Sequence, residues 1–185
     1  MKRNLMTVLL ILILVIPQIQ ALEIKDGRMK IKLHEDSGRF SVFYLDDIEK
    51  QKFVPLLFGD DPRTSLLSIL IGNKVYTMGE TSGYRQAVQE VKEGAQFVWT
   101  SNTLVITETF SFLRSASSPI SDGFKINVSV RNISEQDIAI GFRYLFDTYL
   151  GEKDGNHFAL EGGRAITSES LLRGSYPAYW ISPSA

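Results

Sequence analysis

Phe124-Lys125-Ile126-Asn127-Val128-Ser129-Val130-Arg131 sets apolar and polar side chains in strict alternation. Successive side chains of a β-strand point to opposite faces. A period of two therefore puts Phe124, Ile126, Val128 and Val130 on one face and Lys125, Asn127, Ser129 and Arg131 on the other. The segment is predicted as a half-buried strand with one face on a core and one in water.

The same period runs outward in both directions. Residues 132–136 make a turn, and residues 138–149 return as a strongly hydrophobic strand. Residues 115–123 form a polar loop holding Pro119. Before it come three strands at 84–91, 95–101 and 103–113, separated by Lys92-Glu93-Gly94 and by Asn102. In the third, Leu104, Ile106, Glu108, Phe110 and Phe112 share a face, which puts a carboxylate among apolar side chains. A β-bulge, which commonly re-aims a side chain, is the expected release.

Two hairpins are legible further toward the N-terminus. Ser68-Ile69-Leu70-Ile71 and Lys74-Val75-Tyr76-Thr77 flank Gly72-Asn73, a two-residue loop able to supply the positive φ of a tight hairpin turn. Met29, Ile31 and Leu33 alternate with Lys30, Lys32 and His34. Asp36-Ser37-Gly38 then turns the chain, and Phe40, Val42 and Tyr44 resume on one face. Toward the C-terminus shorter strands are expected at 157–160, 165–172 and 178–181.

Residues 50–58 and 168–172 have room for a helical turn or two, but neither sustains a 3.6-residue period. About ten short strands with turn signals every 8–12 residues predict an all-β fold, an antiparallel β-sandwich. Tyr179-Trp180-Ile181 stands close to the last residue. Either this aromatic pair docks back on the sandwich, or the chain is a shortened form of a longer one.

Residues 1–21 read as a secretory signal peptide. Lys2 and Arg3 form a basic start, residues 5–16 are apolar apart from Thr7, and Pro17-Gln18-Ile19-Gln20-Ala21 leads to a small residue suited to cleavage after Ala21. Twelve residues of helix rise about 18 Å, short of the ~30 Å hydrocarbon core of a bilayer. The competing reading is an uncleaved anchor, because residue 19 is Ile. Residues 22–185 then form a single β-sandwich domain in the periplasm or outside the cell, with no stable transmembrane helix after cleavage.

The chain contains no cysteine, which excludes both a cysteine-linked lipid anchor and a disulfide scaffold. Stability must come from packing, for which eleven Phe, seven Tyr and two Trp are available. This composition, with so short a signal, fits a bacterial periplasm or envelope. The net charge is −1, and loss of Lys2 and Arg3 makes the mature part slightly more acidic. Nucleic acid, which requires a basic face, is not an expected partner.

No catalytic set is found. Nucleophilic chemistry has no Cys, no Gly-x-Ser-x-Gly turn, and only His34 and His157 as bases. The densest polar cluster is a candidate binding loop of Asp147, Glu152, Asp154, Asn156 and His157. Clustered carboxylate and amide oxygens suit Ca²⁺ or a glycan, although the spacing is not that of an EF-hand. The competing reading is that Asp154-Gly155 forms a tight turn between strands. Asp147 interrupts the apolar run Tyr144-Leu145-Phe146 and would need partners if buried, with Arg143 available on the same face of a regular strand. Trp99, Tyr179 and Trp180, with Tyr149 and Tyr176, offer flat faces for stacking on sugars or for core packing.

The runs Val130-Arg131-Asn132-Ile133-Ser134, Gly141-Phe142-Arg143-Tyr144-Leu145-Phe146-Asp147-Thr148, Leu150-Gly151 and Asp154-Gly155 resemble a pattern in uncharacterised exported bacterial β-sandwich proteins, found among spirochaetes and other anaerobes. This resemblance covers residues 100–181 and implies no activity. Val105-Ile106-Thr107-Glu108-Thr109-Phe110 is more remotely similar to strands of mutarotase-like supersandwich domains. That family uses paired histidines and acids that do not map onto this chain. The expectation is an exported, non-enzymatic β-sandwich protein of the bacterial envelope with a structural or protein-binding role, meeting an envelope protein or a glycan. The alternative is a carbohydrate-binding or carbohydrate-modifying domain.

Overall fold

The alternation at the N-terminal end produces a meander. β1 (Ala21–Asp26), β2 (Met29–His34), β3 (Arg39–Asp47) and β4 (Lys52–Pro55) pair antiparallel in that order. Met29, Ile31 and Leu33 are buried on the inner face of β2, as the pattern requires. The computed structural model describes residues 21–58, 64–149, 158–174 and 176–182.

A second meander follows, built from β7 (Arg85–Val91), β8 (Gly94–Thr100), β9 (Leu104–Leu113) and β10 (Gly123–Asn132). Pairing of β10 with β9 runs from Gly123↔Leu113 to Asn132↔Leu104 without a register break. A third sheet has the order β11-β5-β6, from β5 (Leu66–Ile71), β6 (Lys74–Thr77) and β11 (Ile140–Leu145). The β5–β6 connection is the two-residue Gly72-Asn73 turn, with Gly72 at φ +57 and Ile71 opposite Lys74. A small fourth sheet joins β12 (Phe158–Leu160), β13 (Arg164–Ile166) and β14 (Trp180–Ile181) in the order β13-β12-β14, with a 3-10 turn at Glu161–Gly163.

The layers follow from where the apolar faces meet. β1 and β2 lie against β7 and β8. Phe40 of β3 packs on Phe110 of β9 with ring centroids 4.8 Å apart. Leu57 bridges antiparallel to Thr148, which links the chain beyond β4 to the chain beyond β11. The first and third sheets thus make one layer and the second sheet the other. The fold is all-β and sandwich-like. One core holds Ile31, Leu33, Phe40, Ile69, Phe97, Trp99, Leu104, Ile106 and Phe110. Among the described residues no helix is long and apolar enough to cross a membrane.

Three expectations change: the number of strands, the strand over 138–149, and the strand over 165–172, which stops at Ile166. Fourteen strands, rather than about ten, occur among the described residues. β1, whose Leu22 and Ile24 lie just past the predicted cleavage site, offers only those two apolar residues in alternation. The strand expected over 138–149 stops at Leu145, because the chain leaves β5 there and pairs next with residues 56–58. Ser68 of β5 is fully buried and its hydroxyl has no hydrogen-bond partner among the described residues. Removing a buried unpaired hydroxyl relieves its desolvation cost. Ser68→Ala is expected to raise stability by about 1 kcal/mol, read as a rise in melting temperature of about 3 °C.

Candidate functional site

The clearest polar feature of the interior is built around Glu108. Its strand has no bulge, so the alternation carries the carboxylate inward, where only 1% of the residue is exposed. The expected release through a bulge does not occur. A partner supplies the answer instead: the hydroxyl of Tyr144, on β11 in the opposite layer, donates to Glu108 Oε1. Burial pushes the Glu108 carboxyl up to about 7, against the pull of the Tyr144 hydrogen bond and of the Arg39 charge. Burial and the charge of Glu108 likewise raise the Tyr144 hydroxyl.

Arg39, at the start of β3, is also 1% exposed. Its Nη1 donates to the Met78 carbonyl at 2.6 Å, and its Nη2 pairs with the Glu80 carboxylate. A buried guanidinium is tolerated because it finds both a carbonyl and a charge. Sequence reasoning flagged Glu108 but missed Arg39 and Tyr144. Arg39 falls where the alternation expects an outward residue, yet Arg39, Phe40, Ser41 and Val42 are all buried. The turn between β6 and β7 covers the outer side, which no period within β3 could reveal.

From Tyr144 a line of rings leads to the surface. Tyr144 stacks on Phe146 at 4.4 Å, with the ring planes 13° apart. Phe146 is 43% exposed and lines a cleft of about 330 Å³ with Thr148, Phe158, Leu160, Ile166 and Trp180. Trp180 meets Phe158 edge-on at 4.8 Å and is 49% exposed. Among the described residues of this lining, Thr148 is the one polar side chain. A larger depression of about 470 Å³, between the β1 edge and the β7–β8 turn, is rimmed by Glu23, Asp26, Glu90 and Glu93 together with Lys25 and Lys92. Its charges are mixed and largely solvated.

The predicted site residues are distributed unequally. Trp99 is buried: it stacks on Phe97 at 5.1 Å, and its indole N–H donates to Gln86 Oε1 at 2.5 Å. Its ring is therefore a core element and not a surface platform, because an aromatic on the inner face of β8 lies between the layers. Tyr179 and Trp180 are exposed, as are Tyr149 and Tyr176.

Of the acidic loop, Asp147 is half-buried. Its backbone N–H donates to Ser65 Oγ at 3.0 Å, and its carbonyl accepts from Phe58. Arg143 makes no ion pair with it among the described residues, since the strand joining them ends at Leu145. Glu152, Asp154, Asn156 and His157 lie outside the described residues. Among the described residues no group of His, Asp and Glu comes together to hold a metal ion. His34, whose Nε2 lies 3.0 Å from Ser41 Oγ, is half-buried and tied into its own hairpin.

Comparison with known proteins finds no match to the chain, either to a protein-family model, to a curated protein or to a solved structure.

Proposed function

We propose that the chain is an exported, non-enzymatic β-sandwich protein of a bacterial envelope with a structural or protein-binding role, and that it meets a partner protein at the aromatic cleft. Export is supported by the basic, apolar, small-residue pattern of residues 1–21. The observation that carries the binding role is the cleft itself. Among the described residues, five of its six lining residues are apolar, and Phe146 and Trp180 remain about half exposed. Apolar surface left open in this way is characteristic of contact with another protein, whose aromatic or aliphatic side chain would fill the cavity.

The test places a photo-crosslinking amino acid at position 166, on the cleft wall, in cells. A discrete adduct with one envelope protein is expected. With both proteins purified, Trp180→Ala is expected to weaken the complex by at least about tenfold, as loss of a central aromatic anchor does. A complex untouched by Trp180→Ala, or no adduct in the envelope, overturns the reading.

A second reading, a carbohydrate-binding or carbohydrate-modifying domain, is favoured by the exposure of Trp180 in the cleft and of Tyr176 and Tyr179 in the same segment of chain. Selective glycan-array binding that Trp180→Ala abolishes would replace the first reading with this one.

A further inference from the structure

β10 is an unusual edge. Among the described residues it pairs with β9 alone, over ten residues, with an unbroken register and no proline. Ile133 N–H donates to the Thr103 carbonyl at 2.8 Å, which sets the phase of the ladder. In an antiparallel pair, hydrogen-bonded and non-hydrogen-bonded positions alternate. The odd-numbered residues of β10 therefore bond to β9. Phe124, Ile126, Val128 and Val130 turn their N–H and C=O groups to the open side.

Their side chains lie on the inner face, where burial falls off across one strand. Ile106, Glu108 and Phe110 of β9 are at most 1% exposed, whereas their register partners Val130, Val128 and Ile126 are only partly covered. Natural edge strands are usually blunted by shortness, proline, a bulge, an inward charge or charged side chains along the edge. β10 has only the last of these.

What β10 does carry is charge on its outer face. Lys125 and Arg131 are exposed and make no ion pair among the described residues. Antiparallel pairing of two β10 edges about Val128 would set Lys125 of each copy opposite Arg131 of the other. Like charges directly opposite are destabilising, so this edge disfavours its own copy in that register. The same two cations, about 20 Å apart along the strand, attract a strand with acids at the matching positions.

We infer that the β10 edge accepts one extended strand of a partner protein. That strand is apolar on the face that continues Phe124, Ile126, Val128 and Val130, and it carries two acidic side chains six residues apart opposite Lys125 and Arg131. Main-chain bonds supply affinity, and the alternate side chains supply selection. No residue of β10 lines the aromatic cleft among the described residues.

The probe is a ten-residue peptide alternating valine with threonine, with glutamate at two outward positions six residues apart. Its control carries lysine at those two positions. With the purified protein, fluorescence anisotropy is expected to show the glutamate peptide binding and the lysine peptide about tenfold weaker, since two attractive pairs become repulsive. Hydrogen exchange by NMR should slow at the amides of Ile126, Val128 and Val130. The double variant Lys125→Glu with Arg131→Glu, which touches no buried group, should reverse the peptide preference. Val128→Pro, which removes an N–H that bonds to no neighbour among the described residues, should abolish binding in a protein that still melts cooperatively. Trp180→Ala should leave peptide binding unchanged, so failure here is separable from failure at the cleft. Equal affinity for the two peptides, absence of binding at millimolar concentration, protection outside β10, or a dimer joined through β10 in sedimentation would each overturn the inference.

Discussion

At pH 8 the Glu108→Gln variant is expected to melt about 10 °C above the unsubstituted protein, and the gap should close as the pH falls toward 4.5. The sign follows from the direction of the shift. The folded-state carboxyl of Glu108 is raised from 4.5 to about 7, so the folded chain holds this proton more tightly than the unfolded chain. The stability linked to it is complete below about 4.5 and is lost as the pH rises through about 7. Above that, the fold carries an ionised carboxylate on its inner face. The difference is about 3 kcal/mol, from about 1.4 kcal/mol per pH unit.

Glutamine keeps an acceptor for the Tyr144 hydroxyl and never ionises. Tyr144 itself stays protonated throughout, since its hydroxyl is raised, and Arg39 with its partner Glu80 is present in both proteins. Melting curves between pH 4.5 and 8.5 decide the matter. Parallel curves for the two proteins would show that Glu108 does not carry the linkage.

The second large effect is expected at Gly79. Gly79→Ala should cost about 3 kcal/mol or more, lowering the melting temperature by about 10 °C, whereas Gly72→Ala should cost about 1 kcal/mol. Both glycines have positive φ, +85 at Gly79 and +57 at Gly72, so both substitutions carry the left-handed strain of a residue with a Cβ. Their surroundings differ. A Cβ at Gly72 would meet nothing within 4 Å, while one at Gly79 would overlap the Ser37 carbonyl oxygen. Gly79 packs against the turn between β2 and β3, beside Gly38. Displacing it would also move the Met78 carbonyl and Glu80, the two groups that hold the buried Arg39. Equal losses at the two glycines would show that only φ matters and that the close approach does not.

Both predictions rest on residues whose role depends on distant parts of the chain, and this explains what was legible beforehand. The hairpins at 29–44 and 68–77 and the long strands at 103–113 and 124–131 are local. Period-two alternation and local turn residues mark them out, and the structure contains them, although burial in β3 departs from the period over residues 39–42. Trp99 was ambiguous because an aromatic serves equally well as core or as platform, and only the layer facing β8 resolves which. Asp147 was read with Arg143 on one regular strand, but the strand breaks at Leu145 to exchange β5 for residues 56–58. An exchange of partners leaves no mark on the periodicity of either segment.

Glu108 marks the boundary between the two kinds of knowledge. By itself the sequence determined that the fold is all-β, which faces of the long strands are apolar, and that a carboxylate interrupts one such face, because strand alternation is set by backbone geometry alone. Only the tertiary structure decided that no bulge removes this carboxylate, that Tyr144 bonds to it from another strand while the charge of Arg39 acts on it, and that β10 ends its sheet with bonding groups unpaired among the described residues. Those outcomes depend on which strands become neighbours. That choice is made by burial across the whole chain and not within any one segment.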